Sequence, residues 1–223
     1  MTLLDYPDKV AATVFTMGCP FRCHFCHNPE LVYPEKFPAK TLSEDEVLNF
    51  FRSRKKLLDA VCITGGEPTM HRDLPEFIAK VKDLGLSVKL DTNGTHPAML
   101  ESLLKKGWLD YIAMDIKAPW KKYSDVVGVK IDLEKLQQSV KIIMESGLPH
   151  EFRSTVLPRL HSRADIISMA RQVRGARAYF LQQFRPVDNL VNDEFVTEKK
   201  YLMKDLEDIR REIKDWFKVC RVR

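Results

Sequence analysis

The sequence predicts an α/β fold, a partial (β/α)6 TIM-like barrel with a parallel sheet inside and helices outside. Three observations predict it. Short apolar runs rich in β-branched residues recur six times along the 223 residues. Each run is followed by a longer stretch with a helix start and an apolar face. Polar residues suited to chemistry gather just after the runs, where barrels of this class carry their sites. Repeated units with right-handed crossovers give a parallel sheet. Six units suit an open barrel better than a closed eight-unit one, and a flat doubly wound sheet shares the same alternation.

The expected strands are 11–15, 60–64, 87–91, 111–116, 152–157 and 178–182. Each is five or six residues of buried character bounded by turn formers. The helices between them begin at recognisable caps. Ser43 and Glu46 have capping-box spacing ahead of Val47, Leu48, Phe50 and Phe51. Asp73 precedes a helix over 74–84, with Pro75 in the first turn and Gly85 as the stop. A short helix spans 97–106. Asp132 opens one ending before Gly147, Ser162 opens one to about 174, and Thr197 opens the last, about 197–218. No repeat, linker or low-complexity tract interrupts the order, so 1–223 reads as a single domain.

Composition narrows the function classes. Hydrophobic residues make up 44% and charged residues 30%, which fits a folded chain rather than a disordered or fibrous one. The net charge of +5 is spread among interleaved acids and bases, so no nucleic-acid partner is expected. The basic stretch of Arg210, Arg211 and 218–223 reads as a solvated helix face and tail. The longest uncharged run, 10–21, is too short to span a membrane. Asp5 and Asp8 stand where a secretion signal needs a basic start, so a cytoplasmic protein is expected.

Five cysteines are present, and Cys19, Cys23 and Cys26 fall within eight residues. Such clustering suits a metal or cluster site in a reducing compartment rather than disulfides. The C-x3-C-x2-C loop offers three thiolates, enough for three irons of a [4Fe–4S] cubane with the fourth iron left open, whereas a carrier cluster has four cysteine ligands. A zinc site with Cys62, His24 or His27 as fourth ligand is the alternative on spacing alone.

The cysteine loop, with Phe25 just before its last cysteine, and Gly65-Gly66-Glu67-Pro68 after the second strand resemble the radical S-adenosylmethionine (SAM) superfamily. The run 26–31 (Cys-His-Asn-Pro-Glu-Leu), the early 4–7 (Leu-Asp-Tyr-Pro), the turn 91–94 and the strand end 114–117 resemble its glycyl-radical-enzyme activases. Within these, the sequence is most similar to the activating proteins of anaerobic ribonucleoside-triphosphate reductase, with pyruvate formate-lyase activases next. The likeness runs from about residue 4 to 181.

The resemblance implies a barrel of the radical SAM type, one [4Fe–4S] cluster and SAM. The cluster loop is 18–30, and Cys19, Cys23 and Cys26 are its metal ligands and the catalytic centre. It implies that SAM is cleaved reductively and that the 5′-deoxyadenosyl radical takes a glycine Cα hydrogen from a partner glycyl radical enzyme. Flavodoxin or ferredoxin is the implied electron donor. A radical SAM enzyme acting on a small molecule, such as a deazapurine-type synthase, is the alternative.

The expected cofactor-binding residues are Phe25, Gly65, Gly66, Glu67, Asp91, Asn93, Asp115, Lys117 and Arg153. Phe25 either lies near adenine or packs under the loop. Gly65 and Gly66 allow close backbone approach to a ligand. Glu67 can pair with the SAM ammonium. Asp91, Asp115 and Lys117 face SAM or close the barrel mouth as ion pairs. Arg153, mid-strand, meets the SAM carboxylate or Asp115, or faces solvent. His27 and Asn28 shape the loop. The last strand, with Gln182 and Gln183, departs from the formate-lyase type, which leaves its SAM contact unassigned. Cys62 reads as structural and Cys220 as unligated.

Overall fold

A computed structural model describes residues 1–223. Seven strands form one parallel sheet in the order β1-β2-β3-β4-β5-β6-β7. They are β1 (Ala11–Thr16), β2 (Ala60–Gly65), β3 (Ser87–Thr92), β4 (Tyr111–Asp115), β5 (His150–Val156), β6 (Ala178–Gln183) and β7 (Val219–Val222). The helices are α1 (Pro29–Val32), α2 (Glu44–Arg54), α3 (Leu74–Asp83), α4 (Pro97–Lys105), α5 (Tyr123–Val127), α6 (Leu133–Glu145), α7 (Arg163–Gln172) and α8 (Met203–Ile213). Sequential order with every neighbour parallel is the partial (β/α) barrel expected from the alternation.

The strand pleat sorts the side chains. Val88, Leu90, Ile112, Met114, Phe152 and Val156 point to the helix layer and are buried there. Lys89, Asp91, Asp115 and Arg153 take the opposite face, and register sets Asp115 beside Arg153. The barrel interior is therefore charged, while the apolar core lies between sheet and helices. Tyr6 closes one end of the interior, 4% exposed, on Ala11, Ala60 and the Tyr111 ring 5.7 Å away.

Two expectations are corrected at the C-terminus. The last helix spans Met203–Ile213, not 197–218. The residues after it return as the seventh strand, so the basic 218–223 stretch is not a solvated tail. Val219 and Cys220 pair with Ala178 and Tyr179 in register, and the Phe217 ring stacks on Tyr179 at 5.0 Å. Backbone pairing to β6, which four residues with two exposed positions do not advertise, overrides the charge pattern.

Candidate active site

The ends of β2, β3, β4 and β5 and the loop after β1 surround a cavity of about 230 Å³. Every residue singled out for cluster or SAM binding lines it. The three thiols reach it from the loop after β1, the two glycines and Glu67 from the end of β2, and the charged groups from β3 to β5.

The loop is held by its own backbone and by Arg22, whose guanidinium donates to the Cys19 and Phe21 carbonyls at 2.6 and 2.8 Å. Gly18 N–H donates to the Leu31 carbonyl at 2.8 Å, closing the loop across α1. Burial pushes the Cys19 thiol up to about 11 and the Cys23 thiol up to about 12, and it raises Cys26 as well. Three such thiols ionise only against strong positive charge. Lys117 supplies part of it, and a bound metal would supply the rest. One donor already points at a sulfur: Asn93 Nδ2 at Cys19 Sγ, 3.7 Å away. Three soft thiol donors with an amide N–H aimed at one sulfur fit an iron–sulfur cluster.

The zinc alternative loses two of its fourth ligands. Cys62 lies inside β2, fully buried, 3.8 Å from Lys89 Nζ and off the cavity wall. His24 turns to the opposite side of the loop and stacks on Phe195 at 5.5 Å. His27 and Asn28 do line the cavity. Cys220 sits on β7, away from it.

The glycines line the cavity and also admit the chain's own backbone. A Cβ on Gly65, where φ is +123°, would stand 2.3 Å from Thr16 N, and one on Gly66 1.9 Å from the Gly18 carbonyl oxygen. What approaches is the backbone of β1 and of the cysteine loop. Gly66 N–H donates to Thr16 O and Glu67 N–H to Gly18 O, both at 2.8 Å, so this segment staples the cysteine loop to β2.

Glu67 lines the same cavity and is tied into its wall. Its side chain is fully buried and both oxygens are engaged. Oε1 accepts from Thr69 N at 3.1 Å, from Thr69 Oγ1, and from Thr92 Oγ1 at 2.7 Å; Oε2 accepts from Asn93 N at 2.6 Å. Burial raises its carboxyl, and these bonds work against that rise. The carboxylate ties the ends of β2 and β3 together.

The charges form an alternating chain across three strands, β3 to β5. Lys89 pairs with Asp91, Asp91 Oδ2 accepts from Arg153 Nη1 at 2.9 Å, Arg153 Nε donates to Asp115 Oδ1 at 2.9 Å, and Lys117 Nζ donates to Asp115 Oδ2 at 2.8 Å. Burial alone would raise the Asp115 carboxyl; Arg153 and Lys117 overcome it and hold it well below the usual carboxylate range. Burial likewise opposes the Lys117 ammonium, and Asp115 with the Cys23 and Cys26 sulfurs keeps it charged. Arg153 is thus paired inside the barrel, not solvated.

Phe25 is buried edge-on to the rings of His161 and Phe184. Its ring packs under the loop and also reaches the cavity wall. Gln183 turns away from the cavity and donates to Tyr201 O at 2.6 Å, while Gln182 Oε1 accepts from Thr155 Oγ1 at 3.4 Å.

Sequence reasoning missed the support on the far side of the loop. After β6 the chain doubles back over it: Val191 N–H donates to Cys26 O and Asn192 N–H to His24 O, both at 3.1 Å. Phe184 packs on Phe25 and His27, and Phe195 on His24. It also missed Tyr123 and His161, which hold the backbone of Lys117. Only the aromatic residues at 184 and 195 signal this support in the sequence, and they have no helical or strand period.

A family model described as the radical SAM superfamily matches residues 13–172. A Methanocaldococcus jannaschii protein named for glycyl-radical enzyme activation is 33% identical over 94% of this chain and 86% of its own length. A Thermococcus kodakarensis protein named for GTP 3′,8-cyclase activity is 28% identical over 66% of this chain, which spans 47% of that longer protein. Among solved structures, Streptococcus suis SuiB bound to S-adenosylmethionine superposes with a TM-score of 0.73 at 18% identity, over 95% of this chain and 50% of SuiB. That likeness is one of fold.

Proposed function

The chain belongs to the radical SAM superfamily, and from that premise we propose that it is a glycyl-radical-enzyme activase. It is a SAM-dependent oxidoreductase with a [4Fe–4S] cluster, and the bound cofactors supply a reducing electron and a 5′-deoxyadenosyl radical that abstracts hydrogen. The observation that carries the proposal is a loop with three cavity-lining thiols and no fourth cysteine on the cavity wall. A cluster held by these three thiols would leave an iron without a cysteine ligand, available to SAM.

On this reading Cys19, Cys23 and Cys26 hold the cluster, and Asn93 donates to the Cys19 sulfur. Lys117 presents its ammonium to the carboxylate end of SAM. Asp91 and Asp115, both paired with Arg153, accept from its hydroxyl and ammonium groups. Gly65, Gly66 and Glu67 fix the loop against β2 and leave backbone polar groups on the wall. Phe25 sets an apolar surface between cluster loop and cavity and excludes water. The hydrogen donor is a glycine Cα of a partner enzyme, anaerobic ribonucleoside-triphosphate reductase first and pyruvate formate-lyase second. Full-length likeness to a protein named for glycyl-radical enzyme activation supports this reading. Flavodoxin or ferredoxin supplies the electron. Partial likeness to proteins named for GTP 3′,8-cyclase activity favours a second reading, radical chemistry on a small molecule.

The test is anaerobic. Protein reconstituted with iron and sulfide, then reduced, is given SAM with purified anaerobic ribonucleoside-triphosphate reductase, pyruvate formate-lyase or GTP. The proposal expects 5′-deoxyadenosine and a glycyl doublet by EPR with a reductase or lyase. Turnover driven by GTP alone would replace it with the second reading. Cys23→Ala is expected to lose most bound iron, and full iron retention would sink the ligand assignment.

A further inference from the structure

We infer that His161 is a positioning residue for Lys117: its ring, buried in the loop between β5 and α7, holds the Lys117 backbone so that the ammonium stays in the cavity. The inference rests on the reading that Lys117 contacts SAM.

Lys117 lies two residues beyond the end of β4, where the sheet no longer pairs it. Both of its backbone groups are instead taken by buried side chains, one from the start of α5 and one from the loop between β5 and α7. Its N–H donates to Tyr123 Oη at 3.2 Å, and its carbonyl oxygen lies 2.8 Å from His161 Nε2. His161 is fully buried, and its Nδ1 accepts from Leu157 N–H at 3.4 Å. A ring that accepts at Nδ1 must carry its proton at Nε2, so the network assigns the Nε2–H tautomer, donating to Lys117. The loop that carries the ring is itself fixed: the Tyr201 hydroxyl donates to the His161 carbonyl. The Phe25 ring meets the imidazole edge-on at 6.2 Å, so one side chain touches both the cluster loop and the residue that presents the ammonium.

The geometry makes a specific demand. What matters is a donor at the Nε2 position, not a ring or a charge. Glutamine can place an amide N–H near that position; asparagine reaches only as far as Nδ1. The experiment measures binding of SAM to reconstituted, unreduced protein by equilibrium dialysis, with bound iron and thermal unfolding measured in parallel. His161→Asn is expected to weaken SAM about tenfold and His161→Gln by less than about threefold, as for loss or retention of one buried hydrogen bond. In a Lys117→Ala background, His161→Asn should add less than about twofold, since its effect passes through that side chain.

Equal affinities for the asparagine and glutamine variants would overturn the inference, and so would a His161→Asn effect that persists without the lysine. Should His161→Asn lose its fold, Tyr123→Phe takes its place. It deletes only the hydroxyl, which accepts the Lys117 N–H at 3.2 Å and donates to the Asp115 carbonyl at 3.4 Å, and it should weaken SAM in the wild type and by less in the Lys117→Ala background. If Lys117→Ala itself binds SAM like the wild type, the reading of Lys117 fails and the inference with it. If Lys117→Ala weakens SAM while His161→Asn does not, only the inference fails.

Discussion

A methyl group added at Gly66 would sit 1.9 Å from a backbone oxygen that cannot move without opening the cysteine loop. Gly66→Ala is therefore expected to lower the free energy of unfolding by about 3 kcal/mol, the upper end of overpacking costs, in a chemical denaturation series. A variant as stable as the wild type would show that the loop yields. The glycine pair was legible in the sequence, but the backbone it accommodates was not. A missing Cβ says that something comes close and is silent about whether that is ligand or backbone. Glu67 teaches the same point: a carboxylate beside a binding turn reads as a ligand contact, yet its four donors all come from the chain. Arg153 was easier to read, because an arginine amid apolar strand residues must find partners. Its loss leaves Asp91 and Asp115 facing each other without the guanidinium between them. Arg153→Leu should cost about 3 kcal/mol by the same denaturation measurement, the usual penalty for orphaning a buried charge. A neutral result would mean that Lys89 and Lys117 suffice.

At the scale of elements, caps and strands carry their own signals, and connections do not. Ser43 and Glu46 satisfy each other's backbone: Glu46 N–H donates to Ser43 Oγ at 3.3 Å and Ser43 N–H to Glu46 Oε2 at 2.7 Å. Four residues of sequence contain that whole motif, so the start of α2 could be read to the residue. Ser43→Ala should lower stability by about 1 kcal/mol while SAM affinity stays unchanged, since α2 does not reach the cavity. A change in affinity would place α2 in contact with the site. In β7, by contrast, only alternate residues are partly buried. Its stability comes from pairing with β6 and from Phe217 on Tyr179, contacts that lie about forty residues away in sequence. The segment over the cysteine loop was hidden for the same reason. Val191 and Asn192 act through backbone N–H groups, which every residue but proline has.

At the scale of the molecule, stability against acid depends on neutral rings built into the packing at separate places. His161 is held as the Nε2–H tautomer. His150, at the start of β5, is the opposite: Nδ1 lies 2.9 Å from the Leu148 carbonyl and Nε2 accepts from Arg177 N–H at 3.2 Å, so its proton is on Nδ1. Protonating either ring turns an acceptor into a donor aimed at an N–H. Burial lowers both; the Arg177 charge lowers His150 further, and Asp165 partly offsets the effect at His161. Below about 6.5, the ordinary histidine value, the unfolded chain takes up protons that the folded chain refuses. Stability from these rings is therefore whole above that pH and is lost as pH falls toward their depressed folded values. Asp115 works in a lower window: its contribution is whole above about 4, the ordinary carboxylate value, and is lost only as pH falls below it. Lowering the pH from about 7.5 to about 5.5 thus draws on the histidines and spares the carboxylate network. The unfolding temperature should drop over that interval by about 2–4 °C for each kcal/mol lost. His150→Gln keeps an acceptor for Arg177 and cannot be protonated, so it should show a smaller drop. An unfolding temperature that does not change over the interval, or a full drop in the variant, would remove His150 from the account and leave the acid sensitivity to groups nearer the cysteine loop.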